Sequence, residues 1–376
     1  MPDINKILFI YGTRPEAIKM APLIKEFQKT PDCFDVKICL TGQHRQMLDQ
    51  TNAFFDIVSD YDLNLMSPNQ TLFDITALCL SGLKDVFEQT KPDIVFVQGD
   101  TTSVMVGALA SFYKQIPVAH LEAGLRSGCK YSPFPEEINR IITGHIADYH
   151  FAPTSKAVEN LKSEGITKNV YMVGNTVIDA LHLGLDIIKN ENTDKYKKYF
   201  SFLDFSNRII LVTGHRRENF GDSFENICSA IAYIANVYKD VQFVYPMHFN
   251  PNVREPVNRI LKDITNVHLI EPLDYPYLIW LMEKCYFVLT DSGGIQEEAP
   301  ALGKPVLVMR DVTERQEGIE AGTAKLVGTK YENLVLTMEE LLNNEKTFSD
   351  MANAVNPYGD GTTSQKIVEV IKEAAE

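Results

Sequence analysis

KILFIYGTRPEA, residues 6–17, sets the reading of everything that follows. An apolar run stops at a glycine, and a proline opens the next segment. That is a strand, a tight turn and a helix start, the junction from which parallel α/β folds are built. The rhythm recurs: short apolar runs at 36–40, 93–98, 118–122 and 149–152 predict buried strands beside the first, at 6–11. Between them, 17–28, 71–88 and 103–113 place apolar residues at helical spacing. After a pause, 209–213, 241–246, 267–270, 287–290 and 305–309 read as a second set of strands. The expected fold class is therefore α/β, two Rossmann-like doubly wound domains over 1–174 and 175–363, divided near Gly174. Ligands of open parallel sheets sit beyond the carboxyl ends of the strands, so two such domains should face each other across a cleft. The polar and aromatic stretch Lys189–Asn207 is either a linker or an excursion within the second domain. A last apolar helix, 364–374, follows the breaker cluster NPYGDG (356–361).

Composition narrows the class. At 376 residues the chain is long for one domain, and its ordinary share of apolar residues suffices for two cores. A formal net charge of -14 excludes a general nucleic-acid binder or a binder of anionic membranes, which need a broad basic surface. It does not exclude a small anionic ligand, because a few cations in a cleft reverse the local field. No secretory signal and no run of 18 or more apolar residues is found, so neither export nor membrane insertion is expected. Six scattered cysteines without a CxxC pair read as free thiols, and the cytoplasm is the default compartment.

Polar clusters gather where the predicted strands end. Arg14 follows the first strand beside a helix start, a place suited to phosphate. Asp100, in QGDTTS (98–103), and Glu122, in HLEAGLR (120–126), follow two neighbouring strands, and Glu136 opens a helix in FPEEINR (134–140). In the plainer reading each acid is a helix cap or a partner of a helix dipole. Convergence on one sheet edge favours chemistry, since neighbouring carboxylates divide acid and base roles. In the second half, TGHRREN (213–219) makes a compact cationic turn around His215. TDSGGIQEEA (290–299) runs from strand through Ser292, Gly293 and Gly294 into a helix whose unshielded N–H groups suit an anion, with Glu298 one turn on as an acceptor for ribose hydroxyls. MRDVTER (309–315) adds Arg315 to the same edge.

Absences matter as much. There is no G-x-G-x-x-G dinucleotide turn and no Tyr-x-x-x-Lys pair, so a redox cofactor is not expected. HxE at 120–122 lacks the downstream P-C-x-x-C of a zinc deaminase, so no metal is expected either. G-x-S-x-G, the serine hydrolase elbow, is missing as well.

Taken together, GTRPEAIKMAPL (12–23), GDTTS (99–103), HLEAGLRS (120–127), PFPEEINR (133–140), TGHRREN (213–219), TDSGGIQEEAPALGKPVLVMRDVTER (290–315) and NPYGDG (356–361) resemble the bacterial non-hydrolysing UDP-N-acetylglucosamine 2-epimerases. The resemblance runs from residue 6 to about 370. It implies a glycosyltransferase-B architecture, a homodimer, no cofactor, and reversible conversion of UDP-GlcNAc to UDP-ManNAc for surface polysaccharide synthesis. It implies that Asp100, Glu122, Glu136 and His215 are catalytic, and that Arg14, Lys19, Ser292, Gly293, Gly294, Glu298 and Arg315 contact the nucleotide sugar. The segment Leu273–Leu278 would read uracil. A second UDP-GlcNAc would act as an allosteric activator near Gln43, His44, Gln46 and His248; Asn69 stands where some relatives carry arginine. The alternative is a sugar transferase of the same architecture, which would need an acceptor. For the epimerase, carbon 2 bears a scarcely acidic hydrogen, so the expected route is loss of UDP to a glycal followed by re-addition.

Overall fold

A computed structural model describes residues 4–42, 45–67, 69–191 and 193–375, without the side chains of Arg45 and Gln46. The chain forms two compact units: one runs through Leu183 and takes in the stretch from Tyr358, and the other is Gly184–Pro357.

In the first unit the elements are β1 (Lys6–Tyr11), α1 (Arg14–Gln28), β2 (Asp35–Leu40), α2 (Arg45–Phe54), β3 (Tyr61–Asp62), α3 (Leu72–Thr90), β4 (Ile94–Gln98), α4 (Thr102–Tyr113), β5 (Val118–Leu121), α5 (Glu136–Ile146), β6 (Tyr149–Ala152), α6 (Ser155–Ser163) and β7 (Val170–Met172). Its seven strands are parallel in the order β3-β2-β1-β4-β5-β6-β7. The order reverses at β1, so the loops after β1 and β4 leave toward opposite faces and open a crevice at the carboxyl edge. Phe9, Phe96 and Phe151, on β1, β4 and β6, stack in sequence at 5.0 Å and 6.3 Å between centroids.

Helix α7 (Thr176–Asn190) runs on into the second unit. There follow α8 (Asp194–Tyr199), β8 (Arg208–Thr213), a 3-10 turn (Arg217–Asn219), α9 (Asp222–Val237), β9 (Val241–Pro246), α10 (Pro251–Leu261), β10 (Val267–Ile270), α11 (Tyr275–Lys284), β11 (Phe287–Thr290), α12 (Gly293–Ala301), β12 (Val306–Val308), α13 (Gln316–Glu320), β13 (Ala324–Leu326), α14 (Tyr331–Asn343) and α15 (Glu345–Ala352). Six parallel strands take the order β10-β9-β8-β11-β12-β13, with the reversal at β8. These are the two Rossmann-like folds that glycosyltransferase-B proteins combine. The stretch after α7 belongs to this unit's packing: Phe200 stacks on Trp280 at 5.2 Å, Tyr196 lies on its ring at 6.0 Å, and Phe205 meets it edge-on at 5.6 Å.

Each predicted strand lies within one residue of an observed one at either end. Three further strands, β3, β7 and β13, are sheet edges of only two or three residues. Among the described residues no helix is long and apolar enough to cross a membrane.

The last helix, α16 (Thr363–Ala375), packs on α1 in the first unit. Its N-terminus is satisfied from α7: the buried Asp179 accepts the N–H of Ser364 at 2.7 Å and that of Thr363 at 3.3 Å. A second buried feature lies in the sheet, where His120 on β5 is in register with His150 on β6. Burial pushes both imidazoles down to about 4.

Asp179→Ala should cost about 1–2 kcal/mol, the scale of a lost helix cap. Amide exchange across 363–375 should then accelerate selectively, which hydrogen–deuterium exchange would read. For the histidine pair, the folded pKa lies below the unfolded one. The stability they permit is full above about pH 6.5 and is lost as pH falls toward 4, because only the unfolded chain takes up those protons. NMR titration should find both rings neutral at pH 5.5.

Candidate active site

Three loops define the carboxyl edge of the first sheet. After β1, Thr13 caps α1, and Glu16 bends back to accept the N–H groups of Gly12 (2.7 Å) and Thr13 (2.8 Å). The same carboxylate accepts the hydroxyl of Thr101 at 2.5 Å, and Thr101 is the cap of α4. Burial pushes the Glu16 carboxyl up, while these hydrogen bonds oppose the shift. Glu16 thus ties the β1 loop to the β4 loop across the reversal point.

After β5, Glu122 takes a left-handed backbone conformation (φ 60), unusual for any residue but glycine. Gly124 follows at φ 89, where a Cβ would stand 2.2 Å from the carbonyl oxygen of Ala157 on α6. The Glu122 carboxylate is almost fully enclosed and well supplied with donors. Lys19 Nζ lies 2.6 Å from Oε1, Asn175 Nδ2 donates to Oε1 at 3.2 Å, and Gln98 Nε2 donates to Oε2 at 2.5 Å. A paired and hydrogen-bonded buried charge can persist where a bare one cannot.

Asp100, after β4, is gripped from α5. Arg140 Nε and Nη2 approach Oδ2 at 2.8 Å and 2.6 Å, and Asn139 Nδ2 donates to the Asp100 carbonyl at 2.9 Å. Arg140 also donates to Glu137 at 3.2 Å, and Glu137 accepts the N–H groups of Ser127 (2.9 Å) and Gly128 (3.0 Å). Burial would raise the Glu137 carboxyl, but these donors together hold it below its ordinary range. Glu136 opens α5, and its Oε2 is buried with no hydrogen-bond partner among the described residues. Behind the loop, neutral His120 donates from Nε2 to the Gly99 carbonyl at 2.8 Å.

The second unit repeats the plan with different chemistry. After β8, the N–H groups of His215 and Arg216 both donate to Asp291 Oδ2 at 2.8 Å, and Asn219 Nδ2 adds a third bond at 3.3 Å. Asp291 follows β11 and is fully buried. His215 Nδ1 lies 3.5 Å from Asp291 Oδ1, and the His215 ring stacks on that of His248 at 5.4 Å. Burial pushes the His215 imidazole down; Asp291 opposes this, while His248 and Arg216 add to it. Ser292 then stands at the N-cap position of α12, with Gly293 and Gly294 as the helix's first residues. Without side chains there, the Arg315 guanidinium lies beside Gly293, its carbon 3.6 Å from where a Cβ would stand. Glu297 holds that arginine through Nε at 2.6 Å. Glu298 is buried one turn along α12 and accepts the Tyr275 hydroxyl at 3.0 Å. Leu273 precedes α11 and Leu278 sits on it, on either side of Tyr275 in the chain.

Within the first unit, then, Lys19 and Glu122 meet directly, and Asp100 and Glu136 are joined through α5. Arg14 opens α1 at the same edge. Within the second, His215, Ser292, Gly293, Gly294, Glu298 and Arg315 share one edge. His248, assigned from sequence to a separate activating site, lies on the His215 ring. Gln43 and His44 lie outside the described residues, and of Gln46 only its place in α2 is described. The sequence reading missed the supporting residues Glu16, Gln98, Glu137, Arg140, Asn175, Tyr275, Asp291 and Glu297. Most sit inside the quoted motifs, yet nothing local to a motif says which side chain its partner will be.

A family model described as UDP-N-acetylglucosamine 2-epimerase matches residues 25–372. The chain is 52% identical over 370 residues to a UDP-N-acetylglucosamine 2-epimerase of Escherichia coli O157:H7, covering 98% of each chain. Among solved structures it resembles a UDP-GlcNAc 2-epimerase from Neisseria meningitidis bound to UDP-GlcNAc, at 49% identity and a TM-score of 0.90 over 98% of this chain and 100% of that one. It also resembles the Methanocaldococcus jannaschii UDP-GlcNAc 2-epimerase in complex with UDP-GlcNAc and UDP, at 36% identity and a TM-score of 0.80 over 98% of this chain and 99% of that one. With nearly the whole length matched and both sheet edges furnished as described, the chain is an isomerase belonging to the UDP-N-acetylglucosamine 2-epimerase family.

Proposed function

We propose that the protein interconverts UDP-GlcNAc and UDP-ManNAc by eliminating UDP and adding it back. The observation that carries this reading is the set of carboxylates at the carboxyl edge of the first unit, in a chain of this family. The C2 hydrogen has no adjacent carbonyl to stabilise a carbanion. Breaking the C1–O bond supplies the electron sink: a base takes the C2 proton, the C–H pair forms the C1–C2 double bond, and the C1–O pair leaves with UDP. An acid then protonates C2 of the glycal from the other face, and UDP returns to C1.

Such a route needs groups that accept and deliver protons, and donors that stabilise the departing diphosphate. Asp100, Glu122 and Glu136 are assigned the first task, with Lys19 and Arg140 fixing two of them. His215, Arg315 and the N–H groups at the start of α12 are assigned the second, with Arg14 as a further phosphate contact. Glu298 would accept ribose hydroxyls, and the backbone of Leu273–Leu278 would meet the uracil. A sugar transferase would have no comparable use for three acids and is not favoured.

The product would feed surface polysaccharide synthesis in the cytoplasm, and a second UDP-GlcNAc would activate the enzyme near His248. The chain would work as a homodimer; exposed Phe73, Leu78, Phe112 and Tyr113 on α3 and α4 supply apolar surface for a second copy.

Pure protein given UDP-GlcNAc alone should yield UDP-ManNAc, and in deuterated water the product should carry deuterium at C2. Product without label would overturn the elimination route. Asp100→Asn, Glu122→Gln and Glu136→Gln should each lower kcat by roughly 10²-fold or more while circular dichroism stays native. Near-wild-type turnover of Glu122→Gln would remove it from the proton-transfer set.

A further inference from the structure

The backbone of the loop that carries His215 is anchored by a carboxylate 76 residues further along the chain. Asp291 is fully buried, and one of its oxygens accounts for three donors: the N–H groups of His215 and Arg216 and the amide of Asn219. Asn219 is itself fixed by a bond to the Met309 carbonyl at 3.0 Å. The other oxygen, Oδ1, accepts no hydrogen bond among the described residues and stands 3.5 Å from His215 Nδ1. A buried carboxylate oxygen facing an imidazole nitrogen selects the ring form that carries a proton on that nitrogen. Pairs of this kind are often loose before substrate binds and tighten in the complex.

We infer that Asp291 is the positioning residue for His215, holding the imidazole by its Nδ1 edge so that Nε2 is left for the leaving diphosphate. When the C1–O bond breaks and its electron pair moves onto the phosphate oxygen, the His215 imidazolium donates from Nε2. Asp291 accepts from Nδ1 and balances the ring charge. Asp291 therefore acts through His215 rather than on the sugar. Among the described residues, the titratable and charged neighbours of the ring are Asp291 after β11, His248 after β9 and Arg216 on the ring's own loop. Asp291 is the one of these that favours the cationic ring. This assignment rests on the role given to His215 above.

Two measurements test it. Nitrogen-15 NMR of histidine-labelled wild-type protein, without substrate, should show the neutral His215 ring protonated at Nδ1. Protonation at Nε2 with a bare Nδ1 would overturn the inference without need of any variant. In steady-state kinetics, Asp291→Asn should lower kcat by roughly ten- to a hundred-fold, below the ceiling of about 10⁴-fold for a whole acid–base group. KM should change little, and the alkaline limb of the kcat profile should move to lower pH, because an amide cannot balance the imidazolium. A folded Asp291→Asn protein with unchanged kcat and unchanged alkaline limb would overturn it. Near-wild-type turnover of His215→Asn would instead remove the role of His215, and with it the catalytic half of this inference, whatever form the ring takes.

Discussion

Both sheet edges depend on one kind of interaction, a buried carboxylate that accepts backbone N–H groups from the loop after the central strand. In the first unit it is Glu16, bonded to Gly12 and Thr13 and, across the reversal point, to Thr101. In the second it is Asp291, bonded to His215 and Arg216 from the far side of the same kind of crevice. A loop at a strand end has N–H groups with no ladder to join, and leaving them unpaired in the interior costs roughly 1–3 kcal/mol each. One carboxylate satisfies two at once and fixes the loop at the point where the polar side chains depart.

What could be read from the sequence follows from that division. Strands such as Lys6–Tyr11 and Phe287–Thr290 announce themselves, because a strand covered on both faces must be an unbroken apolar run. The motifs announce themselves too, since each is a run of polar and small residues where such a strand stops. The partnerships do not. Lys19 and Glu122 are 103 residues apart, and His215 and Asp291 are 76 apart. No local pattern encodes contacts of that range, so Gln98, Arg140 and Asp291 passed as ordinary motif residues, and Asn175 lies in no motif at all. The edge strands Tyr61–Asp62, Val170–Met172 and Ala324–Leu326 escaped for a different reason. Two or three residues at a sheet margin carry too little periodicity to be told from a loop.

The proposed reaction asks an acidic chain to receive an anion, and its arginines are held in a way that suits the task. Arg315 beside Gly293 is held by Glu297 at 2.6 Å, and Arg310 is held by Glu218 at the same distance. Each such pairing removes rotamer freedom before any ligand arrives, so less ordering is left to be done on binding. The α12 N-terminus is fixed in the same sense, because its donors belong to the backbone. Recognition of this sort is local and tolerates a net charge of -14 elsewhere.

Helix α16 has a consequence for how the protein is made. It leaves the ribosome after the whole of the second unit, yet it packs on α1, which is made well before that unit, and its cap Asp179 is already in place on α7. The second unit, Gly184–Pro357, lies wholly between these two stretches in the chain and can complete its own sheet as soon as it emerges. The first unit cannot close its α1 face until residues 363–375 have emerged. Nascent chains therefore carry an α1 that lacks its α16 contact while the whole second unit is made, and a ribosome stalled before residue 363 holds a finished second unit and an unfinished first one.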